Sequence, residues 1–386
     1  MENKHIIDTY KRYPITLEYG KGAYVYDKNG KEYLDFAAGI AVSSLGYGNI
    51  DFADTLKGQI DKLIHTSNLY YNETCGRAAA DLARISKMEQ VFFCNSGTEA
   101  TEGALKVARK YAHLKGNGRS EFITMQDSFH GRSMGALSVT GREQYRIPFE
   151  PLIPKVHFAK YNDLESVQQL ISDKVCAIIL EPLQGEGGIH LADEAFLKGV
   201  RKICDENDIL LIFDEIQCGM GRTGSMFLWQ RIGVKPDVMT MAKAIGNGVP
   251  VGAFAINEKV AQYSLKPGDH GTTYGGNPLA CAAVSKTIEI FEKEHLVDNA
   301  KEVGAYLSEK LDAIVAEFDC VKERRGTGLI QGIAINIPSE HIIKRALDEG
   351  LLVISAGVNV IRMVPPLIIT KEQVDEAMAK LIRALN

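Results

Sequence analysis

The chain has 386 residues, 45% of them hydrophobic and 24% charged, with a formal net charge of −5. Charges of both signs are interspersed, which argues against a nucleic-acid surface, so small acidic substrates would need local arginines. The longest apolar runs are strand-sized, far short of the ~20 residues that span a bilayer, and the opening MENKHIIDTYKRYP shows neither a secretory h-region nor a transit-peptide pattern.

The chain is therefore expected in the cytoplasm, and its length allows one large α/β domain with a smaller companion. In AYVYDKNGKEYLDF, alternating aromatic and β-branched residues flank the turn Asp27-Lys28-Asn29-Gly30, which reads as a β-hairpin. Residues 1–50 are expected to form a small β element packing with the C-terminal small domain. From residue 51 to about 280, the runs QVFFCN, EFITMQ, VCAIILEP, ILLIFDE, DVMTMAK and GAFAIN are each of strand length and apolar without alternation, as parallel strands buried on both faces should be. Segments between them, such as TEATEGALKVARKYA and AFLKGVRKICDEN, carry helical spacing. The pattern is a large, doubly wound, mostly parallel sheet.

Residues 281–386 read as a small α+β domain: helices first, then strands in GLIQGIAINI and GLLVISAG, then the helix TKEQVDEAMAKLIRALN. In that helix Thr370 and Gln373 form a capping box, and Val374, Met378, Leu381 and Leu385 make one apolar stripe. Seven cysteines are scattered without a CxxC pair, so they are expected as reduced thiols rather than a zinc or disulfide framework.

Four expected strands end in polar residues: NSGTEA, EPLQGEGG, DEIQCGMGRTG and Lys243. In open α/β sheets the ligand crevice lies beyond the carboxyl ends of the strands, so these tails should converge. Lys243 is unusual in having no charged neighbour between Asp237 and Glu258. Asp214 leaves an apolar strand, where a carboxylate needs a cation or an N-cap role to be tolerated. Together the two suit an aldehyde cofactor on the lysine with a protonated ring nitrogen on the aspartate, and pyridoxal phosphate has both groups. Ser96, Gly97 and Thr98 open a helix whose first-turn N–H groups could hold its phosphate, or could be a plain N-cap. Phe129 of SFHGR is either a core ring or one that stacks on the cofactor.

In order and spacing, NSGTEA, SFHGR, EPLQGEGG, LLIFDEIQCGMGRTG, MAKAIGNGVPVGA and GTTYGGNP together resemble the class III, fold-type I pyridoxal-phosphate aminotransferases, over essentially the whole chain. The resemblance implies that Lys243 carries the cofactor and shuttles a proton, that Asp214 holds the ring nitrogen, and that Gln217 bonds the phenolic oxygen. It also implies that Phe129 stacks on the ring and that Gly97 and Thr98 bind phosphate. Thr273 of GTTYGG would join them from a neighbouring subunit, with Thr272 beside it at the substrate, so a homodimer is expected.

By the same resemblance Arg132 takes the carboxylate far from the reacting carbon, and Arg362 takes the one next to it. Glu186 neutralises Arg362 when that carboxylate is absent. Each arginine, taken alone, could equally be a surface ion pair. HTSNLYYN, residues 65–72, is similar to the acetylornithine branch, with 2-oxoglutarate as acceptor and glutamate as product. Relatives acting on succinylornithine, ornithine, 4-aminobutyrate or lysine-pathway amines stay open, as does an aminomutase. GMGRTG, residues 219–224, fits GxGxxG formally, but Asp214 to Cys218 separate it from the strand and no helix pattern follows directly, which excludes a dinucleotide site.

Overall fold

All six central runs form strands in the computed structural model, which describes residues 5–386: Gln90–Cys94, Glu121–Met125, Val175–Leu180, Leu210–Asp214, Val238–Met241 and Gly252–Ile256. With Val156–Ala159 they make a seven-stranded sheet. Its spatial order starts at Gln90–Cys94 and passes through Gly252–Ile256, Val238–Met241, Leu210–Asp214, Val175–Leu180 and Glu121–Met125 to the edge strand Val156–Ala159. Gly252–Ile256 runs antiparallel to both neighbours and the other adjacent pairs are parallel. The four-residue edge strand escaped the sequence reading because only Ala159 in it is fully buried.

The absence of alternation in the central strands has a direct cause. Leu210 and Ile212 belong to one apolar cluster together with Ala104, Ala108 and Tyr111 of the Gly97–Leu114 helix. Leu211 and Phe213 belong to another, with Leu197 and Val200 of the Glu194–Asn207 helix. Both faces of the strand are therefore covered, and every residue of Leu210–Asp214 is buried.

At the N-terminus the expected hairpin pairs Tyr24–Asp27 with Glu32–Asp35. Asp27 Oδ1 accepts the Asn29 and Lys31 N–H groups at 2.8 and 3.0 Å, and Gly30 supplies the positive φ of +78° that closes the turn. Leu17–Lys21 flanks this hairpin on one side and Leu351–Leu352 on the other. The run GLLVISAG is thus not one strand: Leu351–Leu352 joins the N-terminal sheet, whereas Ile354–Ser355 joins a C-terminal sheet with Val360–Met363, Ile330–Ile335 and Val321–Thr327. The last of these, VKERRGT, is charged and half-exposed, which hid it from an apolar-pattern reading. The terminal helix Lys371–Leu385 has the expected capping box and buries Val374, Met378, Leu381 and Leu385.

The loop Gly219–Gly224 serves as a joint. Arg222, 1% exposed, donates to the Leu329 carbonyl at 3.2 Å, to Ser44 Oγ at 3.0 Å and to the Pro365 carbonyl. Burial pushes its guanidinium down to about 9, against the opposing pull of Asp35. No helix among the described residues is long and apolar enough to cross a membrane.

Candidate active site

The strand tails do converge. A cavity of about 410 Å³ opens at the carboxyl end of the central sheet, and Ser96, Gly97, Thr98, Phe129, Arg132, Asp214, Gln217 and Lys243 all line it. That volume suits one small organic ligand.

Lys243 follows the Val238–Met241 strand with φ +52°, a left-handed conformation that a non-glycine residue adopts at a cost of order 1 kcal/mol. The short turn Lys243–Ile245 holds it there, with both residues after it buried. Burial lowers the ammonium to about 8, the Arg362 charge adding to the effect and Glu186 opposing it. An ordinary lysine titrates near ~10.4, so this amine is neutral far more often at physiological pH.

On the adjacent strand, Asp214 pairs in register with Thr240. Its Oδ2 accepts from His130 Nδ1 at 2.7 Å and its Oδ1 from the Ile216 N–H at 3.1 Å. Both partners fix the carboxylate in orientation, and each oxygen keeps a lone pair for a further donor. His130, 2% exposed, leaves Nε2 without a partner among the described residues. Glu181 completes the group: it accepts the Phe129 N–H at 3.0 Å, and burial pushes its carboxyl up, assisted by the Asp214 charge and opposed by His130.

At the other end of the cavity stands the N-terminus of the Gly97–Leu114 helix. Ser96 caps it, accepting the Glu99 N–H at 3.3 Å. The Gly97 and Thr98 N–H groups have no acceptor among the described residues, as expected of a first turn. Thr98 Oγ1 accepts the Arg132 and Ser133 N–H groups at 3.2 and 3.1 Å, fixing the SFHGR loop against the helix. This end is electropositive and aimed at an anion.

Arg362 and Glu186 stand behind Gln217. Arg362, 2% exposed on the Val360–Met363 strand, donates from Nη1 to Glu186 Oε1 at 2.7 Å and to Gln217 Oε1 at 2.9 Å. Glu186 sits at the tip of the Leu183–Gln184 and His190–Leu191 hairpin. Burial alone would raise its carboxyl, but the charge and hydrogen bonds of Arg362 outweigh burial and leave it below the usual range. Arg132 differs: it is exposed and has no carboxylate partner among the described residues.

Two expected residues lie elsewhere. Thr272 is tied to the cavity only through Asn95, whose Nδ2 donates to its Oγ1 at 3.2 Å, and Thr273 is exposed outside this chain's own cavity. Asn68 of HTSNLYYN donates to the Thr272 and Gly275 carbonyls at 3.0 Å each, so the two loops form one surface. His130, Glu181 and Asn95 are site residues that the sequence pattern did not predict, although they stand within SFHGR, EPLQGEGG and NSGTEA.

The family model described as aminotransferase class-III matches residues 7–385. The chain belongs to the class-III aminotransferases. An acetylornithine aminotransferase of Caldanaerobacter subterraneus is 48% identical over 98% of this chain and 96% of its own length, and one of Clostridium acetobutylicum is 46% identical over 98% of each. Among solved structures, the N-acetylornithine aminotransferase of Stenotrophomonas maltophilia superposes with a TM-score of 0.84 at 37% identity, covering 97% of this chain and 96% of that one. The ornithine aminotransferase of Toxoplasma gondii gives 0.95 at 31% identity, covering 99% and 92%. This class-III aminotransferase uses pyridoxal phosphate. Its cavity fits that group: an amine of lowered basicity faces the aldehyde's chemistry, a fixed carboxylate faces that of a pyridinium, and two free N–H groups at a helix start face that of a phosphate.

Proposed function

We propose that the enzyme transfers the δ-amine of N2-acetyl-L-ornithine to 2-oxoglutarate, giving N-acetyl-L-glutamate 5-semialdehyde and L-glutamate, a step of arginine synthesis in the cytoplasm. The observation that carries this reading is the contrast between a neutralised Arg362 and an unpaired Arg132. The δ-carbon of acetylornithine bears no carboxylate, so the Glu186 ion pair spares the buried Arg362 from facing a methylene chain with its charge uncompensated. Arg132 then takes the distant carboxylate. With glutamate, Glu186 swings aside, Arg362 binds the carboxylate beside the reacting carbon, and Arg132 binds the other.

Acetylation has a physical rationale. In ornithine an α-ammonium is attached to the carbon whose carboxylate Arg132 would hold, and the two cations repel; the acetyl group removes that charge. The relatives at 46% and 48% identity are acetylornithine aminotransferases, which supports this choice.

Bound pyridoxal phosphate supplies an aldehyde that takes up the amine and a ring that accepts the electron pair left when the reacting carbon loses its proton. Asp214 would hold the ring nitrogen, Gln217 the phenolic oxygen, Phe129 the ring face, and Ser96, Gly97 and Thr98 the phosphate. As a neutral amine, Lys243 would take the proton from the reacting carbon and deliver it to the former aldehyde carbon of the cofactor, assistance worth roughly 100- to 10,000-fold. Thr273 would complete the phosphate site of a second copy, with Thr272 beside its substrate. Leu69, Tyr70, Tyr71 and Tyr274, each more than half exposed on the joined loops, support a homodimer that covers them.

Single-turnover absorbance changes with acetylornithine, succinylornithine, ornithine and 4-aminobutyrate test the reading. Acetylornithine should react with the highest second-order rate constant. Preference for ornithine or 4-aminobutyrate would overturn it.

A further inference from the structure

The short helix Glu143–Arg146 places Tyr145 beside the SFHGR loop, where it touches two members of the site at once. The Arg132 guanidinium carbon lies 3.8 Å from the centre of the Tyr145 ring, against 5.3 Å from that of Phe129. Tyr145 also meets Phe129 edge-on, at 6.4 Å and 88°. A guanidinium carbon this close to a ring centre lies flat on it, because an N–H aimed at the ring would hold the carbon farther out. One face of Arg132 is then covered by an aromatic, while its edge, which carries the N–H fork, stays open. Arg142, 5.9 Å from the same ring, is not a competitor, since its guanidinium donates to the Glu186 carbonyl.

We infer that Tyr145 is a positioning residue for specificity, stacking Arg132 so that its N–H edge meets the substrate's distal carboxylate. An acidic partner would also fix Arg132, but it would compete with the substrate for those donors. An aromatic face orients the cation without occupying a single N–H. The inference rests on the substrate reading given above and extends it to a residue that does not touch substrate itself.

The test compares Tyr145→Leu, Tyr145→Phe and Arg132→Ala in the holoenzyme. Binding of N2-acetyl-L-norvaline, which has the distal carboxylate but no reacting amine, is measured by calorimetry. Steady-state constants are measured with acetylornithine and with n-pentylamine, an amine without a carboxylate. Tyr145→Leu should weaken N2-acetyl-L-norvaline roughly 2- to 10-fold and raise KM for acetylornithine by a similar factor, the range for an aromatic contact to a partly exposed cation. Its selectivity for acetylornithine over n-pentylamine should fall in parallel, kcat should move less, and Tyr145→Phe should restore binding. If Arg132→Ala weakens N2-acetyl-L-norvaline and Tyr145→Leu does not, the role of Tyr145 is wrong. If Arg132→Ala also has no effect, the substrate reading itself fails.

Discussion

The lysine of the site acts through a single property, an amine that is neutral far more often near physiological pH than an ordinary lysine because its surroundings penalise the ammonium. Attachment of pyridoxal phosphate to the apoprotein requires the neutral amine, so its rate should climb about tenfold per pH unit and level off above about 8. An unperturbed lysine would keep climbing past 10, and stopped-flow absorbance separates the two. Lys243→Ala should lose turnover by at least 1,000-fold, on the order of the proton-transfer assistance, while the melting temperature of its apoprotein holds or rises, since a buried amine whose charged form is penalised is removed. Glu186→Ala should slow the half-reaction with acetylornithine about tenfold or more and spare the one with glutamate, because Arg362 would then be permanently unpaired; equal losses in both halves would reject the switch. What was legible at this scale follows sequence locality. Lys243, Asp214 and Phe129 announce themselves through their strand ends and motifs, whereas His130 matters through Asp214, which lies 84 positions away. No local pattern reports such a contact.

Among the elements, the Gly97–Leu114 helix carries the most consequence, because its position decides where two unpaired N–H groups point. Gly103 seats it: a Cβ there would lie 2.2 Å from a Phe254 ring carbon of the antiparallel strand Gly252–Ile256. Gly103→Val must lift the helix off the sheet or displace that ring, at a cost of about 1–3 kcal/mol or more. Weaker cofactor retention should accompany the lower melting temperature, and a variant that kept full cofactor affinity would show that the helix start is not the phosphate anchor. Long apolar runs and the capped terminal helix were readable because burial on two faces, or on one stripe, leaves a compositional trace. Val321–Thr327 and Val360–Met363 left none. The first is a charged strand at the sheet edge, and the second is four residues long with Arg362 inside it.

For the molecule as a whole, we propose the division into residues 1–50, 51–280 and 281–386, with the first packed on the last through the Glu32–Asp35 and Leu351–Leu352 pairing. The proposed dimer makes a sharper claim. Chains bearing Lys243→Ala and chains bearing Thr273→Asp should each be inactive, yet should regain roughly a quarter of wild-type activity once unfolded and refolded together. Half of the dimers formed are mixed, and one of their two sites is intact. No recovery would mean that Thr273 serves its own chain, and an active Thr273→Asp chain would mean that it serves no site. A dimer was implied by the sequence only through resemblance, since nothing in GTTYGG itself says which copy it serves.

Arg222 is satisfied by Ser44, Leu329 and Pro365, three stretches that a ribosome delivers at widely separated times. Until the last of them emerges, a nascent chain holds a cation destined for the interior with nowhere dry to put it. Replacing it with leucine should therefore reduce the yield of soluble enzyme more than the specific activity of the molecules that do mature. The joint belongs to assembly of the catalyst, and only afterwards to its use.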